Sequence, residues 1–326
     1  MSIIVTGSLA YDYLMSFPGY FKDHILAENI HVLSVSFLVD SMRKQRGGCA
    51  SNIAYNLSLL GERPTIMATA GQDFCDYRAW LEEHGVDTSG IVEIRDEFTA
   101  SFFVSTDRDH NQIASFYTGA MSKAHTLSFR PLAGKPVDIV IIAPNDPQAM
   151  VQYAAECKEL GIPYIYDPSQ QIIRLTGEEL IAGARGARVL IANEYEWEMM
   201  KKKTGLSDAG LSSLAETVII TRGERGSTII LPQQTLEIPP VPTPRPIEPT
   251  GVGDAYRAGV IKGLVHGVPW EIAGRMASLA ATYALEQHGT QNHSYTLEEF
   301  AARYRAEFGP AHDIAPILQK RCPALG

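Results

Sequence analysis

Cysteine is scarce in this chain. The four, Cys49, Cys75, Cys157 and Cys322, are scattered with no CxxC spacing, which speaks against a disulfide framework or a thiolate metal cluster and for reduced thiols in a cytoplasmic protein. No uninterrupted apolar run approaches the roughly 18 residues of a membrane helix. The opening MSIIVTGSLAYDYL lacks a basic segment ahead of a long apolar run, so it reads as a first strand and not as a signal peptide. Basic charge is also short: 28 Lys+Arg against 37 Asp+Glu give a formal net charge of -9. A nucleic-acid or anionic-membrane partner would need a basic face. An anionic small molecule would instead have to be held locally, by helix N-termini and a few arginines. Two phosphate loops are missing as well: there is no GxxxxGK[ST], and Gly7 is not followed by GxGxxG spacing.

What is present is a soluble-globular composition, 45% hydrophobic and 20% charged over 326 residues. From about residue 137, short apolar runs alternate with helical patterns. VDIVIIAP reads as a buried strand, PQAMVQYAAECKELG as a helix ending at Gly161, and IPYIYDPS as a strand. A helix near 177–184, the strand ARVLIAN, the helix EYEWEMMKKKTG and the β-rich TVIITRGERGSTIIL follow. Strands apolar on both faces and separated by helices predict a mostly parallel sheet covered on two sides. Two segments break the alternation. HVLSVSFLVD (31–40) sets Leu33, Val35, Phe37 and Val39 at period two, and TASFFVST with QIASFY brackets the polar turn DRDHN as a hairpin. They predict a small antiparallel sheet, a lid over a pocket or a dimerisation sheet. After the proline-dense connector PPVPTPRPIEP the chain is largely helical, and Thr296 with Glu299 forms a capping-box signature. Nothing splits the 326 residues into independent domains, and the lid segments fall at approximately 13–45 and 97–119.

The chemistry concentrates in TGVGD, 250–254. Gly251 and Gly253 let the backbone turn so that successive N–H groups point into one space at the positive end of the following helix. Such a hole stabilises a phosphoryl group in flight, and Asp254 beside it can accept a proton from an attacking hydroxyl. A glycine turn with a helix-capping aspartate is the plainer reading, and local chemistry does not choose between them. Elsewhere GGCASN opens a helix with a close-approach glycine pair and Asn52 in its first turn. Asp12 follows the first strand, at the sheet edge where open α/β sheets bind ligands. Asn193 and Glu196 follow ARVLIAN and begin a helix, and TRGERG (221–226) gives a glycine turn with two arginines. Each piece has an ordinary reading: a turn, a solvated carboxylate, a dipole-favoured glutamate, a hairpin.

Their order is more specific than any one of them. GGxxxN, NxxE, T[KR]GxxG and a TGxGD loop into a helix resemble the ribokinase family of carbohydrate and nucleoside kinases, and the match runs through nearly the whole chain. The resemblance implies an α/β fold, a three-layer αβα sandwich with a mostly parallel central sheet and a small β-sheet lid. By similarity Asp254 is the catalytic base and Gly251, Val252 and Gly253 form the anion hole. Asp12, Gly48 and Asn52 hold sugar hydroxyls. Asn193, Thr221, Arg222, Gly223 and Gly226 line the ATP site, and Glu196 organises Mg2+, partly through water. The family pattern has aspartate where this chain has Glu248, near a monovalent-cation site in many members, so a requirement for potassium is left open by the sequence. Arg222 stands where lysine is frequent, keeping the charge but changing its geometry.

The implied reaction is in-line transfer of the γ-phosphoryl group of Mg-ATP to a hydroxyl. The lid sequence and YALEQHGTQNHSYTLEEF resemble those of prokaryotic adenosine and broad nucleoside kinases. The expected acceptor is therefore the 5′-hydroxyl of a purine nucleoside, adenosine first, with inosine or guanosine next. A ribokinase- or fructokinase-type sugar kinase is the alternative, although no second cationic anchor for a sugar phosphate is evident in the sequence. A catalytically silent sensor on the same fold is the other. An exposed lid edge would suit a homodimer, and zinc at His288 and His293 finds no supporting ligands.

Overall fold

A computed structural model describes residues 2–25, 31–32, 34–309 and 314–318. Among them thirteen strands run in chain order: β1 (Ile3–Thr6), β2 (Ala10–Ser16), β3 (Ser41–Gly47), β4 (Thr65–Gly71), β5 (Ile91–Ile94), β6 (Ala100–Thr106), β7 (Gln112–Tyr117), β8 (Ile139–Ile142), β9 (Tyr164–Tyr166), β10 (Val189–Asn193), β11 (Thr217–Thr221), β12 (Ser227–Ile230) and β13 (Thr235–Ile238). The α-helices are α1 (Cys49–Leu59), α2 (Cys75–Glu83), α3 (Pro147–Leu160), α4 (Gly177–Ala184), α5 (Glu194–Thr204), α6 (Asp208–Ser212), α7 (Val252–Val265), α8 (Trp270–Leu285), α9 (Leu297–Phe308) and α10 (Ala315–Leu318).

The large sheet has the order β13-β12-β11-β10-β9-β8-β1-β4-β5. It is parallel from β11 through β5 and ends in the antiparallel β11-β12-β13 meander. Its central strands are apolar on both faces because both faces are covered. Ile3, Val5, Ile139, Ile141 and Ile191 point toward α1, α7 and α8, while Ile4, Val140, Ile142, Leu190 and Ala192 point toward α3, α4 and α5. Alternation at period two thus feeds two separate cores, and the result is the expected three-layer sandwich. Local signals hold the helices where the sequence places them. Asp146 caps α3 with Pro147 behind it, Gly161 ends it in the left-handed region, and Thr176, Asn193 and Thr296 each close a capping box.

The second sheet has the order β3-β2-β6-β7. The hairpin around DRDHN is present as β6-β7, with Asp107 accepting the N–H groups of Asp109 and Asn111. The strand expected over 31–40 is not there. Residues 34–39 have no regular secondary structure, and the sheet is made instead by Ser41–Gly47 against β2. Phe37 leaves the period-two pattern because it packs edge-on against Phe17 and Phe21, and Val35 and Leu38 face solvent; Leu33 lies outside the described residues.

Candidate active site

The loop at 250–254 enters α7 with Gly251 as its N-cap, in the left-handed region at φ 80°. A side chain there would be strained, and its Cβ would stand 3.0 Å from Thr290. Among the described residues no acceptor takes the N–H of Gly251 or of Gly253, as the open first turn of a helix leaves them. Val252 is partly engaged, its N–H reaching the Pro249 carbonyl at 3.3 Å.

Asp254 does not cap the helix. No side-chain cap bond closes α7; the carboxylate instead accepts from Asn52 Nδ2 at 2.8 Å, 202 residues away in sequence on α1. Part of Asp254 stays accessible. Protein packed around it nevertheless pushes its carboxyl up from 3.8 to about 7, against the opposing pull of the Arg257 guanidinium and the Asn52 hydrogen bond. A carboxylate poised near neutral pH is the state that accepts and returns a proton.

Asn52 is itself held. Its Oδ1 accepts from Gln291 Nε2 at 2.7 Å, and the same Nε2 donates to Tyr77 Oη at 2.6 Å. Tyr77 donates in turn to the Gly47 carbonyl at 3.0 Å. Gly48 caps α1 at φ 96°, where an added Cβ would lie 2.5 Å from the Ser8 carbonyl. Asp12 sits on β2 of the second sheet, with Gln45 and Phe102 opposite it. Burial and the charge of Glu248 push its carboxyl up to about 6. Glu248 Oε2 accepts the Gly289 N–H at 3.0 Å. A cavity of about 260 Å3 beside these residues is lined by Tyr11, Lys44, Arg46, Tyr77 and Gln291 among others. Lys44 and Arg46 are the register partners of Tyr13 and Tyr11, so they leave β3 on the face opposite Asp12, where Lys44 lies over the Tyr11 ring and Arg46 over Trp80.

Two residues that sequence reasoning passes over complete the centre. Asp167, just beyond β9, and Arg257, in the first turns of α7, form a buried ion pair: Nε meets Oδ2, and Nη2 meets Oδ1 at 2.6 Å. Burial raises the Asp167 carboxyl to about 6, which leaves it ionised at neutral pH, and against burial three carboxylates, Asp167 first with Asp254 and Glu196 beyond it, hold the Arg257 proton more tightly. The signal was available: Asp167 ends a strand at the carboxyl edge of a parallel sheet.

The remaining expected residues gather along the same edge. Asn193 and Thr221 are register partners at the ends of β10 and β11. Asn193 and Glu196 serve as the capping box of α5, and Glu196 Oε1 also accepts from Ser169 at 3.0 Å. Gly223 and Gly226 make the β11-β12 turn, with no room for a side chain at Gly226 against the Ile238 carbonyl. The Arg222 guanidinium is turned to Glu237, and that of Arg225 to Glu194. No cluster of three or more His, Cys, Asp or Glu able to hold a metal exists among the described residues. That donor set fits an ion carried mainly by phosphates and water, with a single carboxylate such as Glu196 in attendance.

Residues 18–297 match the family described as pfkB family carbohydrate kinase. The chain belongs to this family. It is a phosphotransferase with an alcohol group as acceptor, in the ribokinase-like fold. The chain is 29% identical over 310 residues to a nucleoside kinase of Methanothermobacter thermautotrophicus, covering 94% of this kinase and 96% of that protein. Its fold superposes on the nucleoside kinase of Burkholderia thailandensis in complex with inosine with a TM-score of 0.84 and 37% identity, over 95% and 99% of the two chains. The nucleoside kinase of Methanocaldococcus jannaschii, an archaeal member of the ribokinase family, gives 0.83 and 26%, over 94% and 99%. No helix among the described residues of this kinase is long and apolar enough to cross a membrane.

Proposed function

We propose that this kinase transfers the γ-phosphoryl group of ATP to the 5′-hydroxyl of a purine nucleoside, adenosine first and inosine or guanosine next. The observation that carries the reading is the Asp254 carboxylate: beside a glycine-rich helix N-terminus, not used as a cap, oriented by Asn52 and raised to about 7. Asp254 takes the hydroxyl proton while the N–H groups of Gly251 and Gly253, with the partly engaged Val252, face the group in flight. Asp12, Gly48 and Asn52 hold the ribose hydroxyls, and the second sheet closes over them as a lid that excludes water. Asn193, Thr221, Arg222, Gly223 and Gly226 line the nucleotide side. Magnesium arriving with ATP would neutralise phosphate charge there, with Glu196 reaching it through water.

A nucleoside is favoured over a free sugar by the register of the lid. Asp12, Phe102 and Phe116 are opposite one another across β2, β6 and β7, so all three side chains project from one face. Two rings beside a ribose-binding carboxylate suit stacking on a base. Three further lid aromatics are placed elsewhere: Phe103 stacks on Tyr13 on the opposite face, Tyr117 donates its hydroxyl to Glu97, and Phe37 packs on Phe17 and Phe21. That opposite face also exposes Met42 and Ile113, together with Phe103, which fits a second copy of the chain paired through the lid. The reading is tested by ATP consumption over a panel of nucleosides and sugars with magnesium, with and without potassium. Turnover of ribose or fructose alone would overturn the nucleoside acceptor, and no turnover at all would favour a silent sensor.

A further inference from the structure

Phosphoryl transfer without a phosphate-loop lysine still needs a positive charge near the group in flight. In this kinase Arg222 and Arg225 are engaged by Glu237 and Glu194, so neither is free to supply it. Arg257 is placed differently. It lies four residues after Gly253, and a helical side chain leans toward the N-terminus, so the guanidinium climbs back to the mouth of α7. Asp167 takes Nε and Nη2, and among the described residues no acceptor takes Nη1. That nitrogen lies where Gly253 has no side chain: a Cβ on residue 253 would stand 2.6 Å from it. The second glycine of TGVGD thus has a use beyond turning the backbone, since any other residue would push Nη1 away. Arg257 is 8% exposed and Asp167 1%. Without the arginine, a polyphosphate approaching this edge would meet Asp167, Asp254 and Glu196 with no buried cation among them.

We propose that Arg257 is the built-in cation of the phosphoryl-transfer site, clamped through two nitrogens by Asp167 so that Nη1 is presented beside Gly253 to the transferred phosphoryl group. The proposal rests on the reading that transfer occurs at the 250–254 loop, and it adds a role for two residues outside that reading. Asp167 is a positioning residue: it fixes the direction of the guanidinium and does not itself meet the phosphate.

The test compares Arg257→Met, Arg257→Lys and the double variant Arg257→Met with Asp167→Leu. The double variant replaces the buried pair by apolar groups and so avoids stranding a carboxylate. Each is checked for folding by thermal denaturation, and kcat and KM are measured for adenosine and for ATP. Loss of a charge felt mainly in the transition state should lower kcat about 10²–10³-fold, the cost typical of removing one such donor, while KM for adenosine stays within about threefold. Lysine, which keeps the charge but not the fork, should recover at least about tenfold over methionine. The proposal is overturned if the folded double variant keeps kcat within about threefold of the parent, or if the folded lysine variant is no faster than the methionine one. Asp254→Asn separates the two claims: a slow Asp254→Asn beside an unimpaired Arg257→Met removes this proposal and leaves the reading of the loop, whereas an active Asp254→Asn removes the reading itself.

Discussion

Asp254→Asn should move activity and stability in opposite directions. The two side chains are nearly isosteric, and the amide oxygen introduced by the substitution can still accept from Asn52 Nδ2, so the geometry of the site is kept. What disappears is an ionised carboxylate inside protein. Its carboxyl rises from 3.8 to about 7 in the fold; at about 1.4 kcal/mol per unit this bounds the cost of the charge near 4 kcal/mol. Asp254 remains partly accessible, and solvent screening reduces that to about 1–2 kcal/mol. The folded state holds its proton more tightly than the unfolded chain, so the penalty is absent below about pH 4, grows as pH rises and is complete above about pH 7. At pH 8 the variant should therefore melt higher by roughly 2–6 °C, and the gain should vanish toward pH 4. Its kcat should fall 10²–10⁴-fold, the range for loss of a general base. In the parent enzyme kcat/KM should fall as pH drops below about 7, where Asp254 takes up its proton. Differential scanning fluorimetry over pH, beside steady-state ATP consumption, reads both. A variant with lower melting temperature and more than about a tenth of parental turnover would show Asp254 to be a helix-terminus carboxylate and nothing more.

Asp12→Asn should raise KM for adenosine about 10–100-fold with a smaller effect on kcat, the worth of a hydrogen bond to a charged group; in the parent that KM should climb as pH falls through about 6, where Asp12 takes up its proton. Gly48→Ala imposes a positive φ on a side-chain-bearing residue and drives its Cβ onto the Ser8 carbonyl, so it should cost at least about 2 kcal/mol in urea unfolding as well as weakening adenosine binding. Ile113→Asp on the outer lid face should convert a dimer to monomer in sedimentation velocity while leaving the melting temperature of the sandwich within a few degrees; a parent that is already monomeric would dispose of the lid interface. Chelation by EDTA should abolish turnover and readdition of magnesium restore it, without changing the melting temperature, because no metal cluster is part of the described fold.

The layers of this kinase were legible because they rest on local rules. An apolar run such as Ile139–Ile142, followed by Asp146, Pro147 and a helix to Gly161, identifies itself wherever it occurs. The strand expected over 31–40 was misplaced for the same reason it was expected: Phe37 satisfies the period of a strand, but its partners are Phe17 and Phe21, which periodicity cannot see. At the site, each motif was readable and ambiguous. That Asp254 does not serve as a cap is seen only in the fold, where its carboxylate turns to Asn52, 202 residues away.

Arg257 shows why the charge balance of the site was the least legible part. In sequence it is one arginine on a helix of mostly small and aliphatic residues, and its direction is set by Asp167, 90 residues earlier, just beyond β9. Burying either alone would leave an unpaired charge; buried together they cost far less and gain a fixed orientation. Asp254, three residues before Arg257 and close enough to feel it, has no such bidentate partner and remains the carboxylate whose proton affinity lies nearest neutrality. Two aspartates around one arginine are thus made unequal by geometry: the one that Arg257 clamps stays ionised as structure, and the one left to Asn52 is available to exchange a proton.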